Sequence, residues 1–358
     1  MNAPATPSPR LFLLLTLALA TTGRAGEPIP MTGNVPAFWK PFDDAMLAIL
    51  AESKASAGTL AVSFEGKLLL ERGYGWSDKD RTRSTEPGTP MRIASVSKPI
   101  TGAAVKKLIA AGKFTYETTF FDSLGFQPPG GKLGDPRVRT ITIKQLLEHR
   151  GGWDRAKFGD PMFMMPKVRA ELQLGRAPAA ADVVRWMLGQ PLQFDPGSTS
   201  VYSNFGYCVL GRVIEKASGQ TYEQYVSETI LKPLGMSNTF LSRSAAKDRD
   251  EREVWYPCKD DEFSIEVMDA HGGWTCSAAD LCRFMDAYWI NGEPRKKGQK
   301  ANWIFFGSLP GTTSMAMQRG DGVNVAVLVN NRAGGDKLLG KIRQLTEDAA
   351  KQMNPWPP

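Results

Sequence analysis

MRIASVSKPITGAAVKKLIAAGK, residues Met91–Lys113, decides how the rest of the chain is read. Ser95 and Lys98 stand three residues apart, a spacing that puts both on one face of a helix. A serine hydroxyl is a poor nucleophile until a base removes its proton, and a desolvated lysine amine can have its pKa lowered enough to be that base. SxxK can therefore carry acyl-transfer chemistry. The start of the helix adds unpaired backbone N–H groups that favour developing negative charge near the serine. Pro99 fits because it falls in the first turn, where its missing N–H costs little. Ile100, Ala103, Ala104, Val105, Leu108 and Ile109 predict an amphipathic helix whose apolar stripe dries that first turn.

Taken alone, Ser95 would be an ordinary helix N-cap. Ser244 and Lys247 repeat the spacing in SRSAAKDRD, a charge-dense, apolar-poor run that reads as a solvated loop or helix edge. What sets Ser95 apart is what else the chain carries. Tyr202-Ser203-Asn204 is the one Tyr-x-Asn in the protein, placed just before an amphipathic pattern at Phe205–Lys216 that stops near Gly219. A tyrosine buried beside an ammonium would have its phenol pKa lowered and could relay the serine proton. An asparagine amide could orient the lysine or hold a substrate amide. Out of context the two are a turn tyrosine and a helix cap. His149, beside a helix end and Gly151-Gly152, reads as a hydrogen-bonded structural residue rather than a base.

Elsewhere the pattern is helix, hairpin, helical middle, strands, helix. Asp43–Lys54 reads as a helix, and Thr59–Phe64 with Lys67–Gly73 as a hairpin around Glu65-Gly66. Residues 76–90 and Leu124–Pro136 are turn-rich connections, and ITIKQLLEHRGG from 141 is a short helix ending at Gly151. The stretch 156–180 has no clear period and reads as a surface connection, with a mobile flap as the alternative. Thr221–Leu231 is a further helix, Thr313–Gln318 and Val323–Val329 are strands, and Lys337–Met353 is a terminal helix. The expected fold is α+β: an antiparallel sheet built from both ends of the chain, flanked by N- and C-terminal helices, with a mostly helical insertion. Its α/β part covers roughly 40–92 and 303–354, its helical part roughly 93–302, in one domain from 26 to 358.

Composition narrows the function. Arg10, an apolar run Leu11–Ala20 and Gly23-Arg24-Ala25 predict a signal peptide over residues 1–25, hence an exported, periplasmic or secreted protein. The apolar run is too short to span a membrane, and no later stretch reaches that length, so no transmembrane anchor is expected. The formal charge of +7 falls to +5 without that segment and is dispersed, which argues against a nucleic-acid partner. Four cysteines, none in a CxxC pair, and two histidines do not suggest a zinc site. Export leads us to expect a Cys258–Cys276 disulfide, with Cys208 and Cys282 either buried thiols or a second pair.

Several stretches in one order resemble the serine β-lactamase-related family of class C β-lactamases, D-alanyl-D-alanine carboxypeptidases and related serine esterases. They are RIASVSKPITGAAVKKLIAAGK, ITIKQLLEHRGG, FDPGSTSVYSNFGYCVLGRVIEKASG with ETILKPLGM, and AHGGWTCSAADLCRFM. The resemblance implies a β-lactamase/penicillin-binding-protein-like fold and an acyl-enzyme on Ser95. It makes Lys98 the base partner, Tyr202 the proton relay and Asn204 the substrate-contacting, lysine-orienting amide. The substrate would be a small or peptide-like ester, amide or β-lactam, with no metal or organic cofactor. The family's Lys/His-x-Gly strand motif is here Phe305-Phe306-Gly307, while His271-Gly272-Gly273 matches it only in a different segment. Gly307 and Ser308 would still border the substrate, because an oxyanion hole made from Ser95 N–H and a backbone N–H near Gly307–Leu309 needs no side chain. A missing cation removes a charge-assisted hydrogen bond of ~1.5–3 kcal/mol, so neutral esters are expected over carboxylate-bearing substrates. The alternative is a non-catalytic binding or scaffold protein on the same fold, its site closed by Phe305 and Phe306.

Overall fold

The computed structural model describes residues 28–33, 36–260, 262–296, 298–353 and 356. The expected signal segment, residues 1–25, lies outside them. Among the described residues nine strands are present: β1 (Met31–Thr32), β2 (Ala57–Phe64), β3 (Lys67–Gly75), β4 (Met91–Arg92), β5 (Phe240–Leu241), β6 (Trp274–Cys276), β7 (Trp303–Leu309), β8 (Thr312–Gln318) and β9 (Val323–Val329). The helices are α1 (Lys40–Ser53), α2 (Ser97–Ala110), α3 (Phe120–Leu124), α4 (Ile143–Leu147), α5 (Arg155–Phe158), α6 (Met165–Glu171), α7 (Ala180–Met187), α8 (Asn204–Ser218), α9 (Tyr222–Val226), α10 (Asp269–Gly272), α11 (Ala278–Ala287) and α12 (Gly335–Gln352).

As expected, one antiparallel sheet is built from both ends of the chain, in the order β1-β3-β2-β9-β8-β7. Its centre is the pairing of β2 with β9, from Gly58 opposite Val329 to Phe64 opposite Val323. The period of two sorts side chains by size. On β9, Val323, Val325, Val327 and Val329 join Leu60, Val62, Met315 and Met317 under α1 and α12. Ala57, Ala61, Ala316 and Ala326 face the other way, into the core shared with the helical part. Small residues on that face let α11 lie close against β2 and β9. β7 is an edge strand, and along that edge the sheet meets the turn that carries Ser95.

α2 departs from the expected amphipathic stripe. Every residue from Ser97 to Val105 is buried, because α8, α9 and α10 pack around the helix. A helix apolar on most of its circumference is a central one, and its single buried lysine is then an exception that needs partners. The helix expected to run to Gly151 ends at Leu147, after which His149 takes a left-handed φ of 58°. α8 is stopped as expected by Gly219, in left-handed conformation at its C-cap. Its N-cap is Ser203, whose hydroxyl accepts from Gly206 N–H, and not Asn204.

Residues 156–180 are a largely exposed connection, as expected, but one made of short helices: α5, a 3₁₀ turn, α6 and the start of α7, anchored by buried Met162 and Val168. The predicted Cys258–Cys276 disulfide is not formed. All four cysteines are free thiols, with Cys276 buried on β6 and accepting from the Thr239 hydroxyl while Cys258 sits beside Arg92. Among the described residues no helix is long and apolar enough to cross a membrane.

Candidate active site

Ser95 sits in a 3₁₀ turn, Ala94–Val96, between β4 and α2. The turn is fastened from both sides: Ile93 N–H donates to Trp274 O on β6, and its carbonyl accepts from the Ser314 hydroxyl on β8 at 2.7 Å. Ala94 has a φ of 44°, a left-handed conformation that is strained for a residue with a Cβ. Strain held by flanking strands at the residue before a candidate nucleophile keeps Ser95 at one place and angle.

Lys98 Nζ lies 3.2 Å from Ser95 Oγ. It also donates to Asn204 Oδ1 at 2.7 Å and to the His271 carbonyl at 2.9 Å. The side chain is 1% exposed, and burial pushes its pKa well below the ordinary lysine range, with Asp160 opposing and Arg155 assisting. A neutral amine has two N–H groups and one lone pair. In the neutral form Asn204 and His271 would take both N–H groups, leaving the lone pair for the Ser95 hydroxyl proton.

Tyr202 donates its hydroxyl to Ser95 Oγ at 2.8 Å. The phenol pKa is not lowered as the sequence suggested: burial pushes it up to about 12, with the Ser95 hydrogen bond as a smaller opposing effect. The physical reason is that the buried phenol loses the water that would stabilise a phenolate, and Asp160 nearby disfavours that charge further. Tyr202 is therefore a proton donor. Its ring lies 4.7 Å from that of His149, whose Nδ1 accepts from Ser203 N–H at 3.2 Å. Burial lowers the His149 pKa to about 4, so this histidine is a neutral spacer that sets the Tyr202 ring, in keeping with its structural reading.

A cavity of about 440 Å³ joins Ser95, Tyr202, Asn204 and Ser308. Gly307 does not line it. This glycine is buried against the Ser95 turn, where a Cβ would lie 2.1 Å from Ile93 O and 3.0 Å from Ser95 N. Phe305 does not line it either; it is half-buried and packs on the helical core, so it neither closes the site nor faces the substrate as expected. Nor is the cavity without cations. Arg155 and Arg332 line it, the first with its guanidinium 5.1 Å from the Tyr202 ring centroid, so the stated ground for disfavouring carboxylates does not hold.

Two contributors escaped sequence reasoning. Asp160 accepts from Asn204 Nδ2 at 2.7 Å, which fixes the amide so that its oxygen meets Lys98. It lies in the stretch without period, where one carboxylate gives no signal. His271 acts through its main-chain carbonyl, for which no residue type is diagnostic, although the HGG run that bends the chain there was visible. Ser244 and Lys247, the second SxxK match, do not line the cleft around Ser95: Ser244 N–H donates to Glu266 instead.

The family described as Beta-lactamase matches residues 42–346. The putative fimbrial assembly protein FimD, serogroup D, of Dichelobacter nodosus is 30% identical over 269 residues, covering 71% of this chain and 62% of that protein. The chain thus spans less than two thirds of the length of the curated relatives it matches first. A β-lactamase/D-alanine carboxypeptidase from Yersinia pestis superposes with a TM-score of 0.66 at 17% identity, covering 87% of this chain and 98% of that one. The D-amino acid amidase from Ochrobactrum anthropi SV3 gives 0.66 at 18% identity, with the same two coverages of 87% and 98%. At these identities the likeness is one of fold.

Proposed function

The chain belongs to the Beta-lactamase family, whose solved neighbours here are hydrolases, and from that premise we propose that it is a serine hydrolase working through an acyl-enzyme on Ser95. The observation that carries this is the buried Lys98 amine, held by Asn204 and the His271 carbonyl 3.2 Å from Ser95 Oγ, where its neutral form would point a lone pair at the hydroxyl. Ser95 Oγ attacks the carbonyl carbon of an ester or amide as its proton passes to Lys98 Nζ. The oxyanion is met by Ser95 N–H and by a backbone N–H at the free edge of β7 near Ser308. Tyr202 gives its proton to the leaving group, and the proton on Lys98 restores it. Water then attacks the acyl carbon by the same relay in reverse and frees Ser95. Export is part of the proposal and rests on the Arg10–Ala25 pattern. Phe305 does not line the cleft, so its closing of the site does not support the scaffold alternative, whose remaining ground is the missing Lys/His of the strand motif.

A fluorophosphonate probe should form an adduct that peptide mass spectrometry places on Ser95, and Ser95→Ala protein should not label. An adduct elsewhere, or undiminished labelling of Ser95→Ala, refutes the assignment.

Asp160 provides a test of the base. Its charge raises the Lys98 pKa, and the acid limb of kcat/KM reports that group in the free enzyme. Asp160→Asn removes the charge and keeps a partner for Asn204. The acid limb of p-nitrophenyl butyrate hydrolysis should therefore move to lower pH, with the plateau rate within about tenfold of the parent. A limb that stays in place means the titrating group is not Lys98.

A further inference from the structure

The cleft around Ser95 does not end at the reacting groups. Phe163, in the 3₁₀ turn between α5 and α6, is 45% exposed and lines two cavities at once: the one holding Ser95 and a second of about 1030 Å³. The second runs between α6 and the residues Asp260 and 262–266, walled by Met162, Met165, Leu174, Pro178 and Phe263 as well as Phe163. Several polar groups at its rim already have partners within the protein. Asp260 accepts from Ala246 N–H and Arg249, Glu266 from Ser244, and Arg169 donates to Leu174 O. What stays open is the apolar wall, mobile thioethers and aromatic rings included, of a size that suits a ligand arm rather than a solvent gap.

Resting on the proposed function, we infer that this annex receives a long apolar acyl chain of the substrate, which passes Phe163 while its carbonyl lies at Ser95. The occupant is an unbranched hydrocarbon arm, because apolar side chains dominate the wall and because Phe163 borders both cavities.

Each methylene withdrawn from water is worth about fourfold in kcat/KM. Octanoyl p-nitrophenyl ester should therefore exceed the butanoyl ester by at least about tenfold. Ala170→Trp, an exposed position on α6 that lines only the annex, should abolish that ratio and leave butanoyl turnover unchanged. Ala177→Trp is the second variant, and butanoyl turnover reports that each has folded. A flat chain-length profile in the parent, or a ratio unaltered in both variants, overturns the inference and leaves the annex to a macromolecular partner. If no ester is turned over and Ser95 does not label, the proposed function has failed on its own. Calorimetric titration of Ser95→Ala protein with octanoyl and butanoyl p-nitroanilides then decides the annex. Octanoyl binding lost in the Ala170→Trp background supports it, and equal or absent binding refutes it.

Discussion

Lys98→Met should lower kcat/KM for p-nitrophenyl butyrate by about three orders of magnitude, and Lys98→Arg by as much. General-base transfer is worth roughly 10²–10⁴, and methionine fills the site with no lone pair basic enough to take the Ser95 proton. Arginine keeps the donors but stays cationic at every working pH, so it has no base form to offer. Retention of activity by Lys98→Arg to within tenfold would remove the amine from the mechanism. The same residue predicts a stability signature. Its folded-state pKa is depressed by burial, so between that value and the ordinary lysine pKa of about 10.4 the unfolded chain binds the extra proton. Stability must then rise with pH through that window, and the rise should be shallower in Lys98→Met, as urea midpoints across the alkaline range would record.

Gly307→Ala should cost about 1–3 kcal/mol of stability and roughly a hundredfold in kcat/KM. The added Cβ would sit 2.1 Å from Ile93 O and 2.4 Å from Ser314 Oγ, one a backbone atom and the other a hydroxyl bonded to it. The Ser95 turn is tied to β6 and β8 and cannot retreat, whereas β7 has a neighbour on one side only. The edge strand therefore moves, taking the Ser308 N–H away from the place of the oxyanion. A variant equal to the parent in kcat/KM, with a lowered urea midpoint, would show that β7 is only structural.

Ser95, Lys98, Tyr202 and Asn204 were legible because their chemistry demands particular side chains at particular spacings, and the structure brings the four together. The sheet was legible because β2, β8 and β9 are buried on both faces and so read as apolar runs bounded by turns. Two further things were not. The depth of burial at Lys98 and Tyr202 depends on how the helices enclose them, which no local pattern encodes, and burial reversed the expectation for the Tyr202 phenol. The strand motif misled because a motif ties a role to a position. Phe305 shares a strand face with Gly307, yet the cleft wall begins only at Ser308 and Leu309. Arg332, which follows β9 by three residues, stands in that wall and was invisible to any motif.

The pairing of β2 with β9 also sets a clock on synthesis. Ser63 and Asn324 are opposite one another in the sheet but 261 positions apart in the chain. At roughly 5–20 residues per second, the β2–β3 hairpin waits about 13–50 s for the strand that covers its inner edge. During that interval Leu60 and Val62, fully buried in the finished sheet, belong to a two-stranded ribbon that is marginal in water and open to pairing with other chains. A nascent chain paused within the helical insertion is thus a chaperone client by topology, whatever the stability of the finished protein.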